Sequence, residues 1–181
     1  MRAQIQIPSV NAIQQGLMQM VLDAHDKAAR TNPSSSTLAC QNAGMSTGSA
    51  ALGIASAMMT LGSLHAPIEA ARVIYETATQ KSIIESVMQG NIIPGFGNSF
   101  FKVGIDPAWE QVSKYIELNL SDMHGRIYDL TQWMHRSGKI LYPNAALFSA
   151  AAASECGVKR GAEVAIFAIA RIPAWAEMAI A

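Results

Sequence analysis

From Val10 to Ala24, apolar side chains return every three or four residues, at Val10, Ile13, Leu17, Met18, Val21 and Ala24. That is the period of one helical face. Pro8 precedes the run, Ser9 is placed to cap it, and it ends near Arg30, before the loop Thr31-Asn32-Pro33-Ser34-Ser35. The stretch that follows is different. Thr37 to Leu61 carries no charge and is built mostly from small residues, with Gly44, Gly48 and Gly53 among them. One long helix is expected here, packed backbone to backbone at the centre of the protein.

Further on, Pro67 suits the first turn of a helix reaching about Gln80, and a shorter helix follows that Gly90 closes. Pro94-Gly95-Phe96-Gly97 reads as a turn. Asp106-Pro107 predicts a capped helix to about Asn119, and Ser121-Asp122 caps another that stops at Gly138. Three short helices are expected after that: one from Pro143, one from about Gly161, and one from Pro173 to the last residue. No useful β-alternation occurs. The class is all-α, read as one domain over residues 1–181.

Composition changes this reading in one respect. Charged residues make up 14% of the chain, against about 25% in an ordinary globular protein. A surface so short of charge points to burial against other subunits, a homodimer or higher homo-oligomer. Lys and Arg together number 13, as do Asp and Glu, without long runs of either sign, which excludes a nucleic-acid footprint. The uncharged run from Thr37 to Leu64 has the length of a membrane span. Its Gln41, Asn42, glycines and hydroxyls, with little Leu, Ile or Phe, argue against one. Cys40 and Cys156 lack metal or redox spacing and read as buried free thiols in a reducing, cytoplasmic compartment. No metal site and no tightly bound cofactor are expected.

Several short stretches carry more than secondary structure. Pro94-Gly95-Phe96-Gly97-Asn98, followed by Asp106-Pro107-Ala108, resembles the segment PGFGH…DPR of citrate synthases. Tyr142-Pro143-Asn144-Ala145-Ala146-Leu147-Phe148-Ser149 is similar to their YPNVDFYS. Phe167-Ala168-Ile169-Ala170-Arg171, with Trp175, resembles FAIAR…W, and Gly62-Ser63-Leu64-His65 resembles GPLH. His25-Asp26 and then Ser35-Ser36-Thr37 are similar to HE…NAST across a longer spacer. The motifs keep the family's order over most of the chain. The resemblance is to citrate synthase and citryl-CoA lyase. It implies a citrate synthase-like helical domain, the small-domain half with part of the large-domain interface helices.

The chemistry implied is formation or cleavage of a carbon–carbon bond between an acyl-CoA and a keto acid. It needs a base for carbon, a donor at the thioester oxygen and an acid at the keto oxygen. By resemblance His65 is the thioester donor, and Arg171 binds a substrate carboxylate as a bidentate cation. His25 bonds substrate, and Lys102 lies near coenzyme A phosphate. Asn98 stands at the keto-side acid. Gly97, whose backbone N–H can approach a ligand or simply serve the turn, and Asn144 complete the candidate set. An acyl-CoA and a dicarboxylate are the expected ligands.

The departures are in the chemical groups themselves. Asn98 replaces the family's second histidine, and an amide cannot give up a proton at neutral pH. Ala146 replaces the catalytic Asp, and Ala108 an arginine. Losing a positioned base costs about 10²–10⁴ in rate. Glu69, one helical turn beyond His65, is either a replacement base or an exposed first-turn carboxylate. Arg171 lies within an apolar helical stretch, so wherever it is buried it needs a partner, either a ligand carboxylate or an internal acid such as Glu155 or Glu163. Three functions stay open: an enzyme with altered chemistry, a non-catalytic scaffold, regulator or partner subunit, and a chain whose base comes from another polypeptide.

Overall fold

The computed structural model describes residues 11–32, 34–62 and 65–181. Pro8, Ser9, Val10, Pro33, Ser63 and Leu64 lie outside these, and with them the proposed Ser9 cap and the middle of the Gly62–His65 motif. Among the described residues there are nine helices and no strand, only an isolated antiparallel bridge between Phe96 and Pro143.

Helix α1 (Ala12–Thr31) starts at Asn11, whose side chain accepts from the Gln14 N–H while the Gln14 side chain accepts from the Asn11 N–H. This reciprocal box satisfies two donors that a helix start leaves unpaired. Its buried face, Leu17, Met18, Val21, Leu22 and Ala24, packs on α6 (Glu110–Asn119), α8 (Ala145–Glu155) and α9 (Glu163–Met178). Helices α4 (Ile68–Thr77), α5 (Gln80–Met88) and α7 (Ser121–Arg136) complete the larger core, with Trp109 and Phe148 stacked at its centre. Arg126 of α7 donates to the carbonyls of Ile74, Tyr75 and Ala78 and so closes the end of α4.

The single long helix expected between Thr37 and Leu61 is two. Helix α2 (Ser35–Thr47) ends at Gly48, which takes the left-handed conformation (φ 65°), and Ser49 caps α3 (Ala50–Met59). The two fold back on each other. A Cβ on Gly44 would stand 2.2 Å from the Ala179 carbonyl oxygen, and one on Gly53 would stand 2.8 Å from that of Cys40. The small residues therefore do what their composition implied, letting backbones approach, but across a hairpin and the end of α9. A smaller core forms there from Cys40, Ala57, Ile68, Ala146, Phe167, Trp175 and Ala179. Cys40 and Cys156 are both free and buried.

Two further boundaries differ from expectation. Helix α6 begins at Glu110, because Pro107 and Ala108 form a turn in which Asp106 accepts from the N–H groups of Ala108 and Trp109. Pro173 starts no helix; it lies buried inside α9. A proline in mid-helix lacks one N–H and crowds the preceding turn. Here the packing of Ala170 in the larger core and of Phe167 and Trp175 in the smaller one carries the helix through.

Candidate functional site

Three of the residues singled out in the sequence meet around the ring of Phe167. His25 of α1, His65 before α4 and Arg171 of α9 all face it: the imidazoles edge-on at 4.9 Å and 5.6 Å, the guanidinium 4.1 Å above its centre. Among the described residues, no carboxylate bonds any of the three.

His25 is fully buried, its Nε2 2.7 Å from Ser149 Oγ and its ring against Trp109 at 4.7 Å. Burial, and then the charge of Arg171, hold its pKa well below the usual 6.5. It is therefore neutral, and its Nδ1 has no hydrogen-bond partner among the described residues. His65 is half-buried, with Nε2 3.0 Å from Ser36 Oγ, and the same two causes lower its pKa. Two neutral imidazoles beside a cation make a site that repels a further positive charge and lacks negative charge of its own.

Arg171 is 5% exposed. Its Nη1 donates to Ser34 Oγ at 3.1 Å, while its buried Nε has no partner among the described residues. Burial lowers its pKa to about 10, and Asp106, held by Asn32 and the Ala108 N–H, opposes that drop from a distance. Neither internal acid considered from sequence is its partner. Glu163 pairs with Arg72 at 2.6 Å, and Glu155 accepts from the Tyr75 hydroxyl at 2.9 Å. A cation buried without an acid is costly, and an unpartnered guanidinium N–H is an offered hydrogen bond.

The other candidates gather at the turn Pro94–Asn98. Gly95 (φ 95°) and Gly97 (φ 81°) take backbone angles that side chains resist, and a Cβ on Gly95 would stand 3.0 Å from that of Leu147. The Gly97 N–H donates to Tyr142 and the Asn144 N–H to Gly95. The Asn144 amide nitrogen donates to the Gly97 carbonyl at 2.8 Å, while its oxygen caps α8 by accepting from Ala146 and Leu147. Asn144 thus clamps one motif onto the other. The Asn98 oxygen accepts from the N–H groups of Phe100 and Phe101, spent on its own loop. Gly97, Asn98, Phe101, Lys102 and Tyr142 line a small pocket of about 90 Å³.

Helix α8 ties the two groups together. Asn144 caps it at the turn, and Ser149 reaches His25. Ala146 lies between, 6% exposed and in the same apolar core as Phe167. Glu69 is exposed on the first turn of α4 and lines an open, mainly apolar pocket of about 350 Å³ with Ala66, Pro67 and Val164. His65 bonds Ser36 while Glu69 stands exposed, with no bond between them among the described residues, which supports the exposed first-turn carboxylate reading. Sequence reasoning did not single out Ser34, Ser149 or Phe167, although each lies in or beside a motif.

The profile of the citrate synthase C-terminal domain matches residues 30–180. No curated protein matches the chain by sequence. Among solved structures, the chain is similar to the citryl-CoA lyase of Hydrogenobacter thermophilus, with a TM-score of 0.78 and 19% identity over 94% of this chain and 69% of that one. It is similar to the citrate synthase of Thermotoga maritima, with a TM-score of 0.74 and 20% identity over 94% of this chain and 49% of that one. The ATP citrate lyase of Methanothrix soehngenii, solved with citrate and coenzyme A, gives a TM-score of 0.75 and 15% identity over 94% of this chain and 31% of that one. The chain thus spans about half the length of the citrate synthase and about a third of the ATP citrate lyase. At these identities the structures speak to the fold, and the profile, matching well over half of the residues, speaks to descent: the chain belongs to the citrate synthase family.

Proposed function

We propose that this protein keeps the anion-binding part of a citrate synthase-type site, for a dicarboxylate and an acyl-CoA thioester, and that its carbon–carbon bond chemistry is altered or lost. Arg171 carries the reading: a buried cation, bonded to a serine, whose Nε–H has no partner and which no acid bonds among the described residues. A ligand carboxylate would supply the missing charge and accept two parallel hydrogen bonds. The ATP citrate lyase of similar fold was solved with citrate and coenzyme A, and those are the ligand classes proposed. His25 and His65 stand beside the anion, His65 as the donor to a thioester oxygen, and Gly97, Asn98 and Lys102 line the pocket at the turn. The loss rests on Ala146, a buried methyl where the family's base stands, and on Asn98.

The test is calorimetric titration of citrate and of acetyl-CoA, with CoA release and citryl-CoA cleavage followed in parallel. Citrate binding that Arg171→Met abolishes, without turnover, is the expected result. No binding of citrate removes the reading, and turnover at enzyme-like rates removes the loss of chemistry. Ala146→Asp asks whether the base alone is missing.

A second reading, a scaffold or partner subunit, is favoured by the α2–α3 hairpin. Leu38, Met45, Leu52, Met58 and Met59 are exposed there, Met59 by 88%. A face so apolar suits a second copy of the chain, in a homodimer or larger homo-oligomer. Native mass spectrometry tests this, and a monomer at micromolar concentration ends it. No helix among the described residues is long and apolar enough to cross a membrane. A cytoplasmic setting, with residues 1–181 acting as one domain, belongs to the same proposal.

A further inference from the structure

We propose that Trp175 is a ligand-binding residue, its indole N–H joining the Nε–H of Arg171 to hold one carboxylate of the dicarboxylate. The inference rests on the reading of the site above and adds a donor to it. Among the described residues, four buried side-chain nitrogens have no hydrogen-bond partner: His25 Nδ1, Trp109 Nε1, Arg171 Nε and Trp175 Nε1. All four belong to residues gathered at Phe167. His25 and Arg171 face its ring, Trp109 stands edge-on to His25, and Trp175 shares the smaller core with it. Proteins pair their buried polar groups as a rule, so exceptions concentrated in one place mark a site. Trp109, Arg171 and Trp175 can only donate. What satisfies them is a group rich in acceptors.

Position makes a pair of Arg171 and Trp175. They lie one turn apart on α9, where Cβ atoms are about 5–6 Å from each other and side chains lean toward the start of the helix. The Arg171 guanidinium reaches back over Phe167, four residues earlier. Its Nε, further down the stem, lies closer to the turn that the Trp175 indole covers. Trp175 is itself held in place. Cys40 Sγ donates to its carbonyl at 3.3 Å, and its ring, 0% exposed, belongs to a cluster with Ala57, Ile68 and Ala146. Ala146 is the methyl at the position of the family's base, so the indole shares a cluster with the reacting end of the site. Trp109 is placed differently, stacked on Phe148 in the larger core. An uncharged N–H beside a cation suits an anionic oxygen and offers nothing to an ammonium group. A carboxylate, with two oxygens, accepts from both donors at once.

The indole N–H reports for itself. The full chain labelled with ¹⁵N-tryptophan has three indole groups to follow, at Trp109, Trp133 and Trp175. Saturating citrate should move the Trp175 signal downfield and leave that of Trp133, which lies under Arg126, where it was. Trp175→Phe assigns the signal and keeps an aromatic ring without the donor. Its citrate affinity should be about tenfold weaker, the scale of one hydrogen bond to a charged group, whereas Trp133→Phe should bind as the wild type does. Should Trp175→Phe not fold, Trp109→Phe and Trp133→Phe assign the Trp175 signal by elimination, and the wild-type shift alone decides. A Trp175 signal unmoved by citrate that calorimetry shows to be bound overturns the inference and leaves the reading of the site standing. An unchanged affinity in Trp175→Phe does the same. Citrate that does not bind at all removes the reading, and this donor with it.

Discussion

Helix α9 meets two buried arginines, Arg72 of α4 at its first turn and its own Arg171 in mid-helix, and the two are treated in opposite ways. Near Glu163, Arg72 of α4 (8% exposed) bonds Glu163 at 2.6 Å, Glu76 at 2.7 Å and the Val158 carbonyl; Glu76 also takes Ser154 and Arg160. Burial works against the Glu163 charge, but Arg72 and two backbone N–H groups hold its carboxyl below the usual range. In mid-helix Arg171 has a serine, an aromatic face and, among the described residues, no acid bonded to it, Asp106 acting only from a distance. An arginine that the protein neutralises itself is a strut. One it leaves charged and under-bonded is a place for something else, and this contrast is why Arg171, and not Arg72, is read as the ligand residue.

Cutting the strut should show the largest effect. Glu163→Gln leaves Arg72 buried with Glu76 alone, and should cost about 3 kcal/mol of unfolding free energy in a urea titration. A loss below about 1 kcal/mol would mean that Arg72 is as poorly paired as Arg171 and that the contrast is empty.

The matching change at Arg171 should disturb the fold less. Arg171→Met breaks no ion pair and removes a charge that acts on Asp106 only from a distance, so stability should move by about 1 kcal/mol or less. Citrate affinity should fall by about 2 kcal/mol or more, the worth of a charge-assisted bond. Destabilisation with citrate binding intact would make Arg171 a second strut.

Acid should separate the two by pH. His25 is neutral in the fold because its folded pKa lies below its unfolded value near 6.5. Below that value the unfolded chain binds a proton that the fold refuses, so stability falls with pH by up to about 1.4 kcal/mol per unit, until the folded pKa is reached. At the strut the sign is that of a depressed carboxylate: stability is present above its unfolded pKa near 4.5 and lost only as pH falls toward the lower folded value. A urea series from pH 8 to 5 should therefore report the cluster at Phe167, where His65 adds a slope of the same sign, and His25→Gln should make the profile shallower. An unchanged slope in that variant would place the titrating group elsewhere.

Much of this was legible in residue order, for local reasons. The stops at Gly90 and Gly138 and the boundary between α6 and α7 are backbone preferences that act over a few residues. The family motifs lie where the site is, since short stretches of special geometry leave a strong trace: the paired glycines of the Gly95–Gly97 turn, or Asn144 before a run of alanines. The errors share a cause. In the sequence Gly48 is one small residue among many, although its left-handed angle breaks the long helix; Pro173 reads as a start, although packing on both sides overrides its missing N–H.

Charge pairing was the least legible part. Nothing along the chain says that Glu163 belongs to Arg72, far away in α4, and not to Arg171 on its own helix, because a salt bridge is made by whichever partner folding brings within a few ångströms. Residue types and their local spacing settled the helical class, the descent and the identity of the groups that can donate, accept or carry charge. Which of them meet at Phe167, which are spent on holding the backbone, as Asn144 and Asn98 are, and which cation is left without an acid came from how α1, α4, α8 and α9 pack. Burial sets the strength and sign of those effects, and burial is a property of the assembled helices.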